Sequence, residues 1–166
     1  MKFEITDKSR VDFVAYAPMH TFKGWSIKGL SGQFDIDFDG LAINKLEAAA
    51  LNEFFDTGDA SRNKAMVDFF KFDQNKESSF EMTEFRDFEK TGDNQYRVTV
   101  IGILDFVGIK RQLPVTMNFT RTDDELKVSL KLKWSFKGFG IKAPRLLFLT
   151  VRDIVDISAE LVLAPC

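Results

Sequence analysis

The segment Asp35-Ile36-Asp37-Phe38-Asp39-Gly40 sets carboxylates at alternate positions ahead of a glycine, the way a calcium-binding loop begins. Such a loop needs a bidentate glutamate at its twelfth position, and that position is Leu46. Phe34, Ile36 and Phe38 alternate with the aspartates, so the carboxylates read as the wet face of a strand ending in an Asp39-Gly40 turn. His20 is the only histidine, and no serine sits in a Gly-x-Ser-x-Gly elbow, which leaves nucleophilic catalysis little to work with. Gly138-Phe139-Gly140 lacks the third glycine and the helix start of a phosphate cradle. Cys166 is the lone cysteine and can form neither an internal disulfide nor a thiolate metal cluster. The residues that could do chemistry therefore point away from catalysis, and no catalytic residue, metal or cofactor is expected.

The elements around them are strands. Leu126, Val128, Leu130, Leu132 and Trp134 alternate with Lys127, Ser129, Lys131 and Lys133, which is a strand with one wet face. The same alternation runs through Val115, Met117 and Phe119, and through Val155, Ile157, Ala159, Leu161 and Leu163. Further strands are expected at 11–17, 21–28, 32–38, 46–51, 79–88 and 96–104. Turns at Asp39-Gly40, Thr91-Gly92-Asp93-Asn94 and Thr122-Asp123-Asp124 are short enough to join antiparallel neighbours. Between Leu51 and Ser79 the period changes: Met66, Phe69 and Phe70 follow Asp59 and Ser61, either of which can cap a short helix over about residues 60–68.

A chain of 166 residues with 45% hydrophobic residues, 29% charged residues and a net charge of −2 folds as one domain over 1–166 and is no basic nucleic-acid binder. Its 18 phenylalanines favour pleated, half-buried surfaces. One-sided strands in a meander must close or pair face to face, and about eight closed strands are wide enough to fill themselves or to hold one small ligand. The pattern alone leaves a filled core and a lined cavity as alternatives.

Several segments resemble the YceI family, lipocalin-like bacterial proteins that bind long polyisoprenoid or fatty chains. Phe3 to Phe13 is similar to the family's first hairpin, and Phe22-Lys23-Gly24 and Leu30-Ser31-Gly32-Gln33-Phe34 to its Lys-Gly and Ser-Gly strand marks. Asp56-Thr57-Gly58 through Arg62-Asn63 to Asp68-Phe69-Phe70 resembles its Thr-Gly-x-x-x-Arg-Asp loop and helix ending in Asp-Phe-Phe. Ser79-Phe80 and Ile101-Gly102 through Val107-Gly108 to Pro114-Val115 match later family strands, with Phe106 where the family often has histidine. The resemblance implies an all-β fold, a single antiparallel lipocalin-like barrel of about eight strands with one short helix in a long loop capping a mouth.

It also implies a non-catalytic carrier holding an isoprenoid quinone, a polyisoprenoid or a fatty amide or acid in an elongated hydrophobic cavity. The alternatives are an enzyme acting on a lipid-like substrate inside the barrel, and a filled-barrel interaction module. The expected lining is Phe13, Phe34, Ile36, Met66, Phe69, Phe70, Phe80, Met82, Val98, Val100, Met117, Phe119, Leu130, Leu132 and Trp134, with Phe136, Phe139 and Phe148 near a mouth. Met117 is expected at a depth where a tryptophan would narrow the cavity. Arg62 is expected to fix the cap by pairing with a carboxylate or carbonyl, or else to contact the ligand.

Charge is uneven along the chain. Residues 126–152 carry Lys127, Lys131, Lys133, Lys137, Lys142, Arg145 and Arg152 and no acidic residue, whereas 33–60 carry seven carboxylates against Lys45. The expected partners are the long-chain apolar molecule, transiently an anionic membrane surface, and a second copy of the chain in a homodimer, with no nucleic acid. The N-terminal residues lack an apolar signal stretch, so a cytoplasmic address is expected, or a periplasmic one if a leader has been removed, as in many members of the family.

Overall fold

The computed structural model describes residues 1–146 and 149–166. Its strands are β1 (Lys2–Ile5), β2 (Arg10–Ala17), β3 (His20–Ser26), β4 (Leu30–Asp37), β5 (Ala42–Leu51), β6 (Glu77–Gly92), β7 (Gln95–Phe106), β8 (Ile109–Arg121), β9 (Leu126–Ser135), β10 (Arg145–Leu146), β11 (Leu149–Thr150) and β12 (Ile154–Pro165). A helix, α1 (Ala60–Phe70), lies between β5 and β6. The main sheet runs β1-β4-β5-β6-β7-β8-β9-β12, and β12 pairs back onto β1, closing an antiparallel barrel of eight strands. Closure removes the open edges a one-sided meander would otherwise present.

The first two strands depart from the expected hairpin. β1 and β2 both run antiparallel to β12 and do not pair with each other, so Phe3 to Phe13 is one strand line interrupted at Thr6–Ser9. The interruption is sealed by side chains: Thr6 Oγ1 donates to the Val162 carbonyl at 2.7 Å, and the Ser9 hydroxyl accepts from the Val162 amide at 3.0 Å. β3 and β4 mirror the split, since β3 pairs with β2 and β4 with β1. The β2–β3 hairpin therefore stands as an extension beside β12 at one end of the barrel.

That end, the top, also carries the Val107-Gly108 turn, the short 3-10 helix Lys137–Phe139 and α1. Both turn residues have positive φ, 48° and 79°, which matches the right-handed twist of the β7–β8 hairpin. The opposite end, the base, carries the β4–β5, β6–β7 and β8–β9 turns with both chain ends.

β6 is longer than expected and slips register between Met82 and Glu84 and between Phe85 and Asp87. The shifts set Phe80, Phe85 and Phe88 opposite the inward Leu104, Val100 and Val98; Phe88 is buried, while Phe85 is 40% exposed. The aspartates of β4 and its turn behave as expected: Phe34, Ile36 and Phe38 are buried between them, and Asp37 accepts from the Gly40 amide at 2.9 Å.

Candidate functional site

Barrel strands alternate inward and outward, and the inward side chains differ sharply with height. In the lower half Phe34, Ile36, Val98, Val100, Met117 and Phe119 are at most 2% exposed. They pack with Phe3, Leu126, Val128 and Leu163 into one closed cluster. This corrects the expected lining: those six side chains fill the base and leave no surface for a guest. The side chains of the expected lining that keep accessible surface lie in the upper half.

Above Val100 and Met117 the packing opens. Phe13, Phe80, Met82, Leu130 and Leu132 point inward and pack on the core, yet each is only partly buried. An inward side chain keeps accessible area only where space of at least a water's size lies beside it. Leu104, Phe106, Ile109, Leu113 and Ile157 share this character and complete the ring. From Leu130 to Trp134 the strand rises about 13 Å, which sets the scale of the space.

Two inward rings lie flat on the wall. The Phe13 ring covers Gly24 on the paired strand, where a Cβ would lie 2.1 Å from its Cζ, and the Phe80 ring covers Gly102 at 2.3 Å. Only glycine permits this approach, and it keeps both rings out of the lumen. Gly24→Ala is expected to drive the Phe13 ring inward, destabilising the protein by about 1–3 kcal/mol and weakening uptake of an apolar dye. Adding Phe13→Leu should restore uptake, and unchanged uptake in the single variant would show that the ring does not border the site.

The roof is aromatic. Trp134, Phe136 and Phe139 are buried together with Val151 and Val155. Trp134 meets Phe136 at 4.7 Å and Phe106 at 5.4 Å between ring centroids, both edge to face. Phe70 joins α1 to this group, 5.1 Å from Phe106 and stacked on Phe72 at 5.5 Å. The position where the family often has histidine is thus an aromatic joint between wall and roof. The 3-10 helix is held by Asp153, whose carboxylate accepts from the Ser135 hydroxyl at 2.6 Å and the Lys137 amide at 2.8 Å. Those hydrogen bonds favour the ionised form and lower its pKa.

Helix α1 rests on the barrel as a lid. Asp59 caps it by accepting from the amides of Ser61 and Arg62, which settles the cap between the two expected candidates. The helix continues to Phe70, two residues beyond expectation, where Lys71 in the left-handed conformation ends it. None of its residues is fully buried: Met66 and Phe70 are partly covered and Phe69 is 38% exposed, so the expected lining role of Phe69 is largely lost to solvent.

Arg62 does fix the cap, but through a ring. Its guanidinium lies 5.1 Å from the Phe22 centroid on β3, a cation–π contact in place of the expected carboxylate or carbonyl. Below the lid, buried Asn52 donates to the Asn75 carbonyl at 2.9 Å and accepts from Ser78 at 2.6 Å, latching both ends of the segment. Phe148 lies outside the described residues.

His20 stacks on Phe22 at 6.2 Å. Two grooves open elsewhere, and both are polar. One of about 540 Å³ crosses β1, β4, β5 and β6, lined by Glu4, Glu47, Glu77 and Glu81 together with Ile5, Ala48 and Phe80. The other, about 190 Å³, lies at the base beside Met1, Asn94, Arg121 and Asp123. Neither suits an apolar guest.

A closed antiparallel barrel with hydrocarbon side chains inside, roofed by aromatics and a helix, is a lipocalin-like barrel. The chain belongs to the YceI family, whose YceI-like domain matches residues 5–163. Among solved structures it is similar to Burkholderia cenocepacia BcnA, with a TM-score of 0.78 and 21% identity over 95% of this chain and 98% of that one. It is similar also to a polyisoprenoid binding domain from Saccharophagus degradans implicated in plant cell wall breakdown, at a TM-score of 0.77 and 18% identity over 98% of each chain. The Campylobacter jejuni YceI protein follows at 0.66 and 16% identity, over 84% of this chain and 82% of that one. At these identities the likeness is one of fold. Comparison with curated proteins gave no match.

Proposed function

We propose that the protein is a non-catalytic carrier that sheathes part of one apolar chain in the upper half of the barrel, beneath α1. The observation that carries this reading is the ring of inward hydrocarbon side chains, Phe13, Phe80, Leu130 and Leu132 among them, that keep accessible surface above a packed base. The polyisoprenoid binding ascribed to the Saccharophagus degradans domain of the same fold supports the chemical class. An isoprenoid quinone, a polyisoprenoid and a fatty amide or acid each offer such a chain. The packed floor limits how much of it enters, and the remainder leaves past the lid. Burying roughly 300 Å² of ligand contributes on the order of 7 kcal/mol before the losses from ordering it.

Solvent extraction of the purified protein followed by mass spectrometry tests the reading. One apolar species in stoichiometric amount is expected, displaceable by an apolar dye. Neither extractable lipid nor dye uptake would leave a filled-barrel interaction module, and chemical conversion of an added lipid would make the protein an enzyme.

A further inference from the structure

The two ends of the barrel differ in charge. At the top, Lys71, Lys110, Lys137, Lys142 and Arg152 are exposed, and among the described residues none of them makes an ion pair. They sit on four separate elements that the topology gathers at one end: the close of α1, the start of β8, the 3-10 corner after β9, and the approach to β12. Arg152 belongs to the same end because its amide donates to the Tyr16 carbonyl near the tip of β2. Of the nearby acids, Asp153 is engaged by Ser135 and the Lys137 amide, Asp105 lies opposite Lys110 in register, and Asp73 and Glu77 are exposed near Lys71. At the base, the hairpin turns present Asp39, Asp93, Asp123 and Asp124, interspersed with Lys2, Lys45, Lys90 and Arg121.

Apolar side chains accompany the cations. Met19 at the β2–β3 tip is 99% exposed, Ile154 at the start of β12 is 39% exposed and Phe69 on the lid is 38% exposed. Phe69 lies 6.4 Å from Phe136, beside the 3-10 corner. A soluble acidic protein would satisfy the cations and leave these three side chains wet. An anionic bilayer accepts both, with phosphates against the ammonium groups and apolar side chains below the headgroups. We infer that the top of the barrel docks on anionic lipid surfaces, with the lid against the membrane and the base held away from it. The inference deepens the carrier reading, because it places the lid between the lumen and a source of apolar chains, but docking itself does not require a bound chain.

Co-sedimentation with phosphatidylcholine vesicles, with and without added phosphatidylglycerol, tests it. Binding should require the anionic lipid and weaken with salt. Each ammonium near the surface is worth roughly fivefold in partitioning, so the triple variant Lys110→Gln/Lys137→Gln/Lys142→Gln should bind roughly a hundredfold more weakly. The control Lys2→Gln/Lys45→Gln/Lys90→Gln removes equal charge away from the top and should bind nearly as the unaltered protein does. Equal binding to neutral vesicles, equal loss in both variants, or binding to soluble polyglutamate with none to anionic vesicles would each overturn the inference. Because vesicle binding is read without cargo, an empty extract with intact docking would overturn only the carrier reading, and a loaded extract without docking only this one.

Discussion

Leu132→Trp is expected to leave the barrel folded and to weaken uptake of an apolar chain close to a hundredfold. Leu132 points inward from β9, is only partly buried and packs against both the base cluster and the roof cluster. Leu132 keeps accessible surface, so overpacking by an indole should destabilise by about 1–3 kcal/mol. It would displace roughly 100 Å² of ligand contact, about 2–3 kcal/mol or close to a hundredfold in affinity. Met117→Trp should do the reverse. Met117 is 2% exposed within the base, and a larger ring would strain the fold before touching a guest. Dye titration beside a urea melt separates the two. Retained uptake in Leu132→Trp would mean that the open space is not where the chain binds.

Trp134→Ala should lower stability by about 3–5 kcal/mol, among the largest single losses in the molecule. The indole is 6% exposed and lies against Phe106, Phe136 and Phe139, so its removal leaves a cavity lined by three rings. Against a total of about 5–15 kcal/mol for a typical protein, that is a large fraction. The loss should appear as a shift in the denaturant midpoint, together with faster proteolysis within 55–75, because Phe70 of the lid rests on the same group. A change below about 1 kcal/mol would mean that the roof is loosely packed.

Strand identity was legible because period two survives wherever one face is wet. The run from Leu126 to Trp134 and its counterpart from Val155 to Leu163 pair residue for residue in the barrel. Height along the barrel was not legible. Met117 and Leu132 both read simply as inward, and only the stagger of neighbouring strands sends one to the packed base and the other to the open half. Glycine hides part of the ring: Gly102 interrupts the apolar alternation of β7, and the pattern does not carry the lining on to Leu104 and Phe106. The split between β1 and β2 was hidden for another reason. Polar residues at Thr6–Ser9 look like a turn, whereas two of them carry hydroxyls that stand in for missing ladder bonds with Val162.

The way β12 closes the sheet bears on how the molecule comes to exist. That strand is partner to β9, β2 and β1, and Phe3 faces Pro165 across the seam, almost the whole chain apart. Contacts so distant in sequence make closure slow, on the scale of milliseconds to seconds. Until β12 docks, the curved sheet from β4 to β9 has two bare edges and an uncovered apolar face, and no enclosed space exists. The container exists only once β12 has docked, and a chain arrested before that step is a sticky open sheet that association with other chains would bury.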